Sequence, residues 1–140
     1  MSLVTGNKCS LSTEFGAASR SAFSILSFGY AQPELTVKHT ALSEAGFTVT
    51  SLSEFRAVKD LIATEGDRFK LLIVGPKVPQ SEREALAELF HRNSSGRNVI
   101  FFYRGSISNT EKATAVLSER GSPQNLLDAV CAIHSRNGKI

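Results

Sequence analysis

A chain of 140 residues, 41% of them hydrophobic and 21% charged, has the length and composition of one globular domain with a full core. No apolar run approaches the roughly 20 residues that span a bilayer, and the N-terminus lacks the basic, then apolar, then small-residue order of a signal peptide. The net charge of +3 and the pI near 9.1 are basic, but Lys and Arg are interleaved with Asp and Glu. Nucleic-acid binding through a basic stripe is therefore not expected. Two cysteines, Cys9 and Cys131, make no disulfide framework, and Cys131 reads as a small core residue. The expectation is a cytoplasmic protein with no membrane association.

Residues 1–20 are rich in Ser, Thr, Gly and Ala without either period, which predicts a flexible leader before a domain at 21–137 and a short tail at 138–140. Residues 22–28 are a short apolar run closed by Gly29, as in a strand buried on both faces. Pro33 suits the first turn of a helix, with Leu35, Leu42 and Ala45 facing inward until Gly46. Residues 47–50 alternate as a second strand. Ser51, Ser53 and Glu54 offer capping chemistry to a helix carrying Phe55, Val58, Leu61 and Ile62. Residues 69–74 are the most apolar strand candidate, stopped by Gly75 and Pro76, and Leu71 to Val74 should be among the most buried parts of the chain. Ser81 and Glu84 have capping-box spacing ahead of Leu86, Leu89 and Phe90.

A turn at 93–96 leads to a fourth strand at 98–103, and a fifth follows at 114–117. Ser122 and Pro123 open a last helix with Leu126, Leu127, Val130 and Ile133 inward. The link at 104–112 is polar with almost no apolar face, which predicts a shortened or missing fourth helix. Strands buried on both faces and separated by helices require right-handed parallel crossovers, so the fold class is a doubly wound α/β sheet.

Local details in the same order carry a resemblance: Pro33-Glu34-Leu35 opening the first helix, Ala45-Gly46-Phe47 entering strand two, Pro79 four residues after Gly75, and Ser122-Pro123. Over residues 22–136 the chain resembles the receiver domain of bacterial response regulators. The resemblance implies a flavodoxin-like, five-stranded parallel sheet in order 2-1-3-4-5, with its chemistry at the C-terminal ends of the strands. It also implies a site in which an acidic pair and an acceptor Asp hold Mg²⁺, while a Ser or Thr and a Lys contact the phosphoryl group.

Carried onto this chain, the acidic pair falls on Gly29 and Tyr30, or on Tyr30 and Ala31 if the turn holds one more residue. The acceptor falls on Gly75, the hydroxyl position on Tyr103, the lysine on Glu119 and the aromatic switch position on Val116. Every position is substituted. Glycine has no nucleophile and a lone carboxylate builds no Mg²⁺ site, so neither phosphoryl transfer nor bound Mg²⁺ is expected, and no cofactor is expected. His39, His91 and His134 lie on three separate predicted helices without a second ligand at metal spacing. No Gly-x-Ser-x-Gly elbow or Gly-rich phosphate loop is present, so no enzymatic activity is expected.

The reading is a degenerate receiver-like module that works by phosphorylation-independent contact with another signalling protein or with itself, as a homodimer. The alternative is a sensor of a small anion or nucleotide at the strand ends, where Lys77, Arg104 and Arg120 would supply positive charge.

Overall fold

Ile25 and Leu26 are neighbours in sequence and both fully buried, which a strand permits only when both faces of its sheet are covered. The computed structural model describes residues 22–94, 98–103, 113–119 and 121–137, and in it the strands are covered on both faces. Its elements are β1 (Ser24–Phe28), α1 (Gln32–Glu44), β2 (Thr48–Leu52), α2 (Phe55–Glu65), β3 (Leu71–Val74), α3 (Gln80–Asn93), β4 (Asn98–Tyr103), β5 (Ala115–Ser118) and α4 (Pro123–Asn137). A single 3₁₀ turn, Gly66–Arg68, follows α2.

The five strands form one sheet in the order β2-β1-β3-β4-β5. Every pairing is parallel, with Ile25 opposite Val49 and Leu71, and Ile73 opposite Ile100. This is the doubly wound flavodoxin-like architecture. The shortened fourth helix expected at 104–112 lies outside the described residues, as do the proposed leader at 1–20 and tail at 138–140.

Strand alternation divides the core in two. Ile25, Leu71, Ile73, Ile100 and Phe102 pack against Leu42 of α1 and against Leu126, Val130 and Ile133 of α4. Leu26, Phe28, Leu72, Val74, Val99 and Phe101 pack on the other side, against Val58 and Ile62 of α2 and Leu86 and Phe90 of α3. Leu71 to Val74 are all fully buried, as the sequence predicts for the central strand.

Three local expectations are corrected. Ser81 does not cap α3: the helix starts at Gln80 with Pro79 as its N-cap and no side-chain capping bond. Glu84 instead accepts a hydrogen bond from the Gln80 side chain at 2.9 Å. Ser51 does not cap α2 either, because β2 runs on to Leu52 and the Ser51 hydroxyl is shared with His39 of α1 at 2.8 Å. Cys131 is in the core as expected, 3% exposed, but as half of a disulfide rather than as a thiol. The argument for a reducing compartment therefore loses its support. Among the described residues no helix is long and apolar enough to cross a membrane.

Candidate functional site

In a doubly wound sheet the C-terminal ends of the central strands open into the crevice where such folds bind ligands. Here the two central ends are glycines. Gly29 follows β1 and Gly75 follows β3, and the Gly75 amide donates to the Phe28 carbonyl at 2.8 Å, which carries the strand ladder one residue further. A Cβ built on Gly75 would lie 3.4 Å from the Gly29 Cα, and one built on Gly29 would lie 3.8 Å from the Gly75 Cα. The two backbones thus face each other across the position of a side-chain cluster. The space left above them, bordered by Tyr30, Glu34 and Lys77, is about 10 Å³. That is room for about one water molecule.

Mg²⁺ takes about six oxygen ligands in near-octahedral geometry, usually with one or two carboxylates. Gly29, Tyr30 and Gly75 offer no carboxylate. Among the described residues no three His, Cys, Asp or Glu side chains are grouped to hold a metal. The residues present do not fit this cation.

The other predicted positions are spread around the rim. Tyr30 packs edge-on to Phe28, with ring centroids 5.1 Å apart, and its phenol donates to Glu82 Oε1 of α3 at 2.5 Å. Burial, then the hydrogen bond to Glu82 and the charge of that carboxylate, push the Tyr30 pKa up to about 12. Tyr103 ends β4, and its carbonyl accepts the Glu119 amide at 2.8 Å, so these two positions are joined through backbone. Val116 is half-buried in β5, the edge strand. Lys77 is exposed on the loop after β3. Arg104 and Arg120 lie outside the described residues, so Lys77 is the one described member of the expected cationic set.

Lys38 was not foreseen. It projects from α1 with its Nζ 4.4 Å from the centroid of Phe102. Burial holds its pKa below the ordinary lysine value, while Glu34 and Glu119 act in the opposite direction. A signal was present: Leu35, Lys38 and Leu42 follow the i, i+3, i+7 spacing of one helix face. A cation on that face has to meet the sheet. The cleft around it, between α1 and α4, measures about 270 Å³.

The histidines remain separate. His39 ties α1 to the edge strand through Ser51, at the rim of a further cleft of about 360 Å³. His134 packs edge-on to Phe23 and Phe47, with centroids 5.2 and 5.6 Å away.

No protein-family model and no curated protein matches the sequence. Solved structures do match. A response regulator receiver domain protein from Clostridium thermocellum is 16% identical, with a TM-score of 0.72 over 82% of this chain and 96% of its own. A CheY-like receiver domain protein from Methanospirillum hungatei is 20% identical, with a TM-score of 0.71 over 85% of this chain and 98% of its own. A putative pilus assembly-related protein from Burkholderia pseudomallei is 18% identical, with a TM-score of 0.69 over 84% of this chain and 92% of its own. At these identities the shared property is the fold, and that fold is receiver-like.

Proposed function

We propose that this chain is a degenerate receiver-like domain that acts without phosphorylation, by contact with another signalling protein or with a second copy of itself, in a bacterial two-component-type pathway. It carries no catalysis of its own and uses no Mg²⁺. The observation that supports this most is the pair of glycines at the two strand ends where the family's phosphoryl chemistry would sit: neither carries a side chain, and a Cβ on Gly75 would lie 3.4 Å from the Gly29 Cα. An intact two-sided core beneath such strand ends is what remains useful as a rigid surface. The fold is not tied to phosphoryl transfer by name either, since one structural neighbour is named for pilus assembly.

The test is incubation of the folded chain with Mg²⁺ and acetyl phosphate, followed by intact-mass measurement and sedimentation velocity. The expected result is no phosphoryl adduct and an unchanged sedimentation coefficient. A phosphoryl group on the folded chain, or an assembly state that follows the phosphodonor, would overturn the reading.

A further inference from the structure

The cleft between α1 and α4 opens beside the strand ends and shares Glu34, Lys38 and Pro76 with the small space there, but its remaining walls are its own. They are mostly carbon, with Pro33 and Val37 on one side, Pro123 and Leu126 on the other, and Phe102 at the sheet. Val37 is 54% exposed, a large apolar side chain left in water at the crevice where doubly wound folds bind ligands. Among the described residues one primary amine enters this space. Lys38 Nζ sits over the Phe102 ring and makes no hydrogen bond or ion pair with a described residue. Glu34 and Glu119 line the same cleft and act on it only at longer range.

We propose that this cleft binds a small apolar aldehyde or ketone, which Lys38 holds as a reversible imine. A lysine is a nucleophile only through its neutral amine, and an apolar wall disfavours the ammonium form. The lowered Lys38 pKa agrees with that environment. In the step itself the Nζ lone pair adds to the carbonyl carbon while the C=O π bond opens onto oxygen. The nitrogen then loses a proton and the oxygen gains one. The remaining N–H proton then passes to the departing hydroxyl, which leaves as water with the C–O bond electrons while the nitrogen lone pair forms the C=N bond. Glu34 and Glu119 are the carboxylates placed to carry that proton. A volume of about 270 Å³ accommodates one ring or a short chain.

The inference stands apart from partner binding and fails or survives independently of it. The whole folded chain is incubated with benzaldehyde and cyanoborohydride, which reduces an imine to a stable benzylamine, and the adducts are located by peptide mass spectrometry. The expected result is benzylation at Lys38 ahead of the exposed Lys59 and Lys77, slowed by benzyl alcohol, which has the shape but no carbonyl. Unfolding in urea should remove the preference. Lys38→Arg keeps a cation over Phe102 and should lose the fast adduct, leaving only labelling of exposed lysines. Equal labelling of Lys38, Lys59 and Lys77 in the folded chain would overturn the proposal. So would labelling of Lys38 that benzyl alcohol leaves unchanged.

Discussion

Tyr30 occupies a position where the resemblance implies a metal-binding carboxylate, and it does the work of a tie instead. Its hydroxyl joins the β1–α1 loop to Glu82 on α3, so the protonated phenol is the form that the fold favours. With an ordinary value of 10.0 and a folded value of about 12, the unfolded chain releases this proton first as pH rises. The Tyr30 contribution to stability is therefore fully present below pH 10 and is lost as pH climbs toward about 12. Tyr30 is 41% exposed, so solvent screening keeps the effect modest. Lys38 has the opposite sign. Its folded pKa is lowered, so stability should rise with pH between that value and the ordinary 10.5, where the unfolded chain still holds the extra proton. Urea unfolding across the alkaline range should show a rise that is missing in Lys38→Met, followed by a fall that is shallower in Tyr30→Phe. Identical profiles for wild type and Tyr30→Phe would mean that the bond to Glu82 does not persist in solution.

At the scale of elements, α1 shows why some of the chain could be read in advance and some could not. Its end was legible because Gly46 marks it, and the structure gives the reason. Gly46 has φ 101°, its amide donates to Ser43 O at 3.0 Å, and the Phe47 amide donates to Leu42 O at 3.1 Å. This is the Schellman arrangement, which needs a left-handed residue at that one position. Gly46→Ala should therefore destabilise the domain by about 1–2 kcal/mol, the cost of placing a Cβ in the left-handed region. Chemical denaturation would show it as a lower midpoint with an unchanged slope, whereas an unchanged midpoint would contradict the cap. The inner face of α1 was less legible. A search for apolar periodicity treats Lys38 and His39 as gaps between Leu35 and Leu42, yet one lies against Phe102 and the other bonds to Ser51. The capping serines failed for a related reason. Ser51 and Ser81 have the right spacing, but which residue ends a strand or starts a helix is decided by tertiary packing. Cys131 shows the same limit: its burial follows from its place on the inner face of α4, while its bonding depends on what lies near it in space.

For the whole molecule, the place of Gly29 and Gly75 at strand ends could be read from sequence, because the order of elements puts them after neighbouring strands. Their closeness could not, since it depends on the ladder bond from Gly75 to Phe28. This distinction makes a sharp prediction for Gly75→Asp. The new Cβ would meet the Gly29 Cα and the Phe28 oxygen at 3.4 Å, an ordinary contact, and Gly75 is not among the left-handed glycines, so the chain should still fold. A carboxylate set into this buried spot near Glu34 should cost about 1–3 kcal/mol of stability. It should restore no chemistry. One carboxylate beside Tyr30 and Gly29 supplies neither the remaining oxygen ligands of Mg²⁺ nor a cation at the position of Glu119 to meet developing negative charge. Incubated with Mg²⁺ and acetyl phosphate, folded Gly75→Asp should gain no phosphoryl mass, and Mg²⁺ should not raise its melting temperature. Phosphoryl uptake at Asp in that variant would show that the fold retains a working site that lacks only its acceptor. The substitution at position 75 would then be the whole difference, and the proposal that this chain acts without phosphorylation would hang on that one residue.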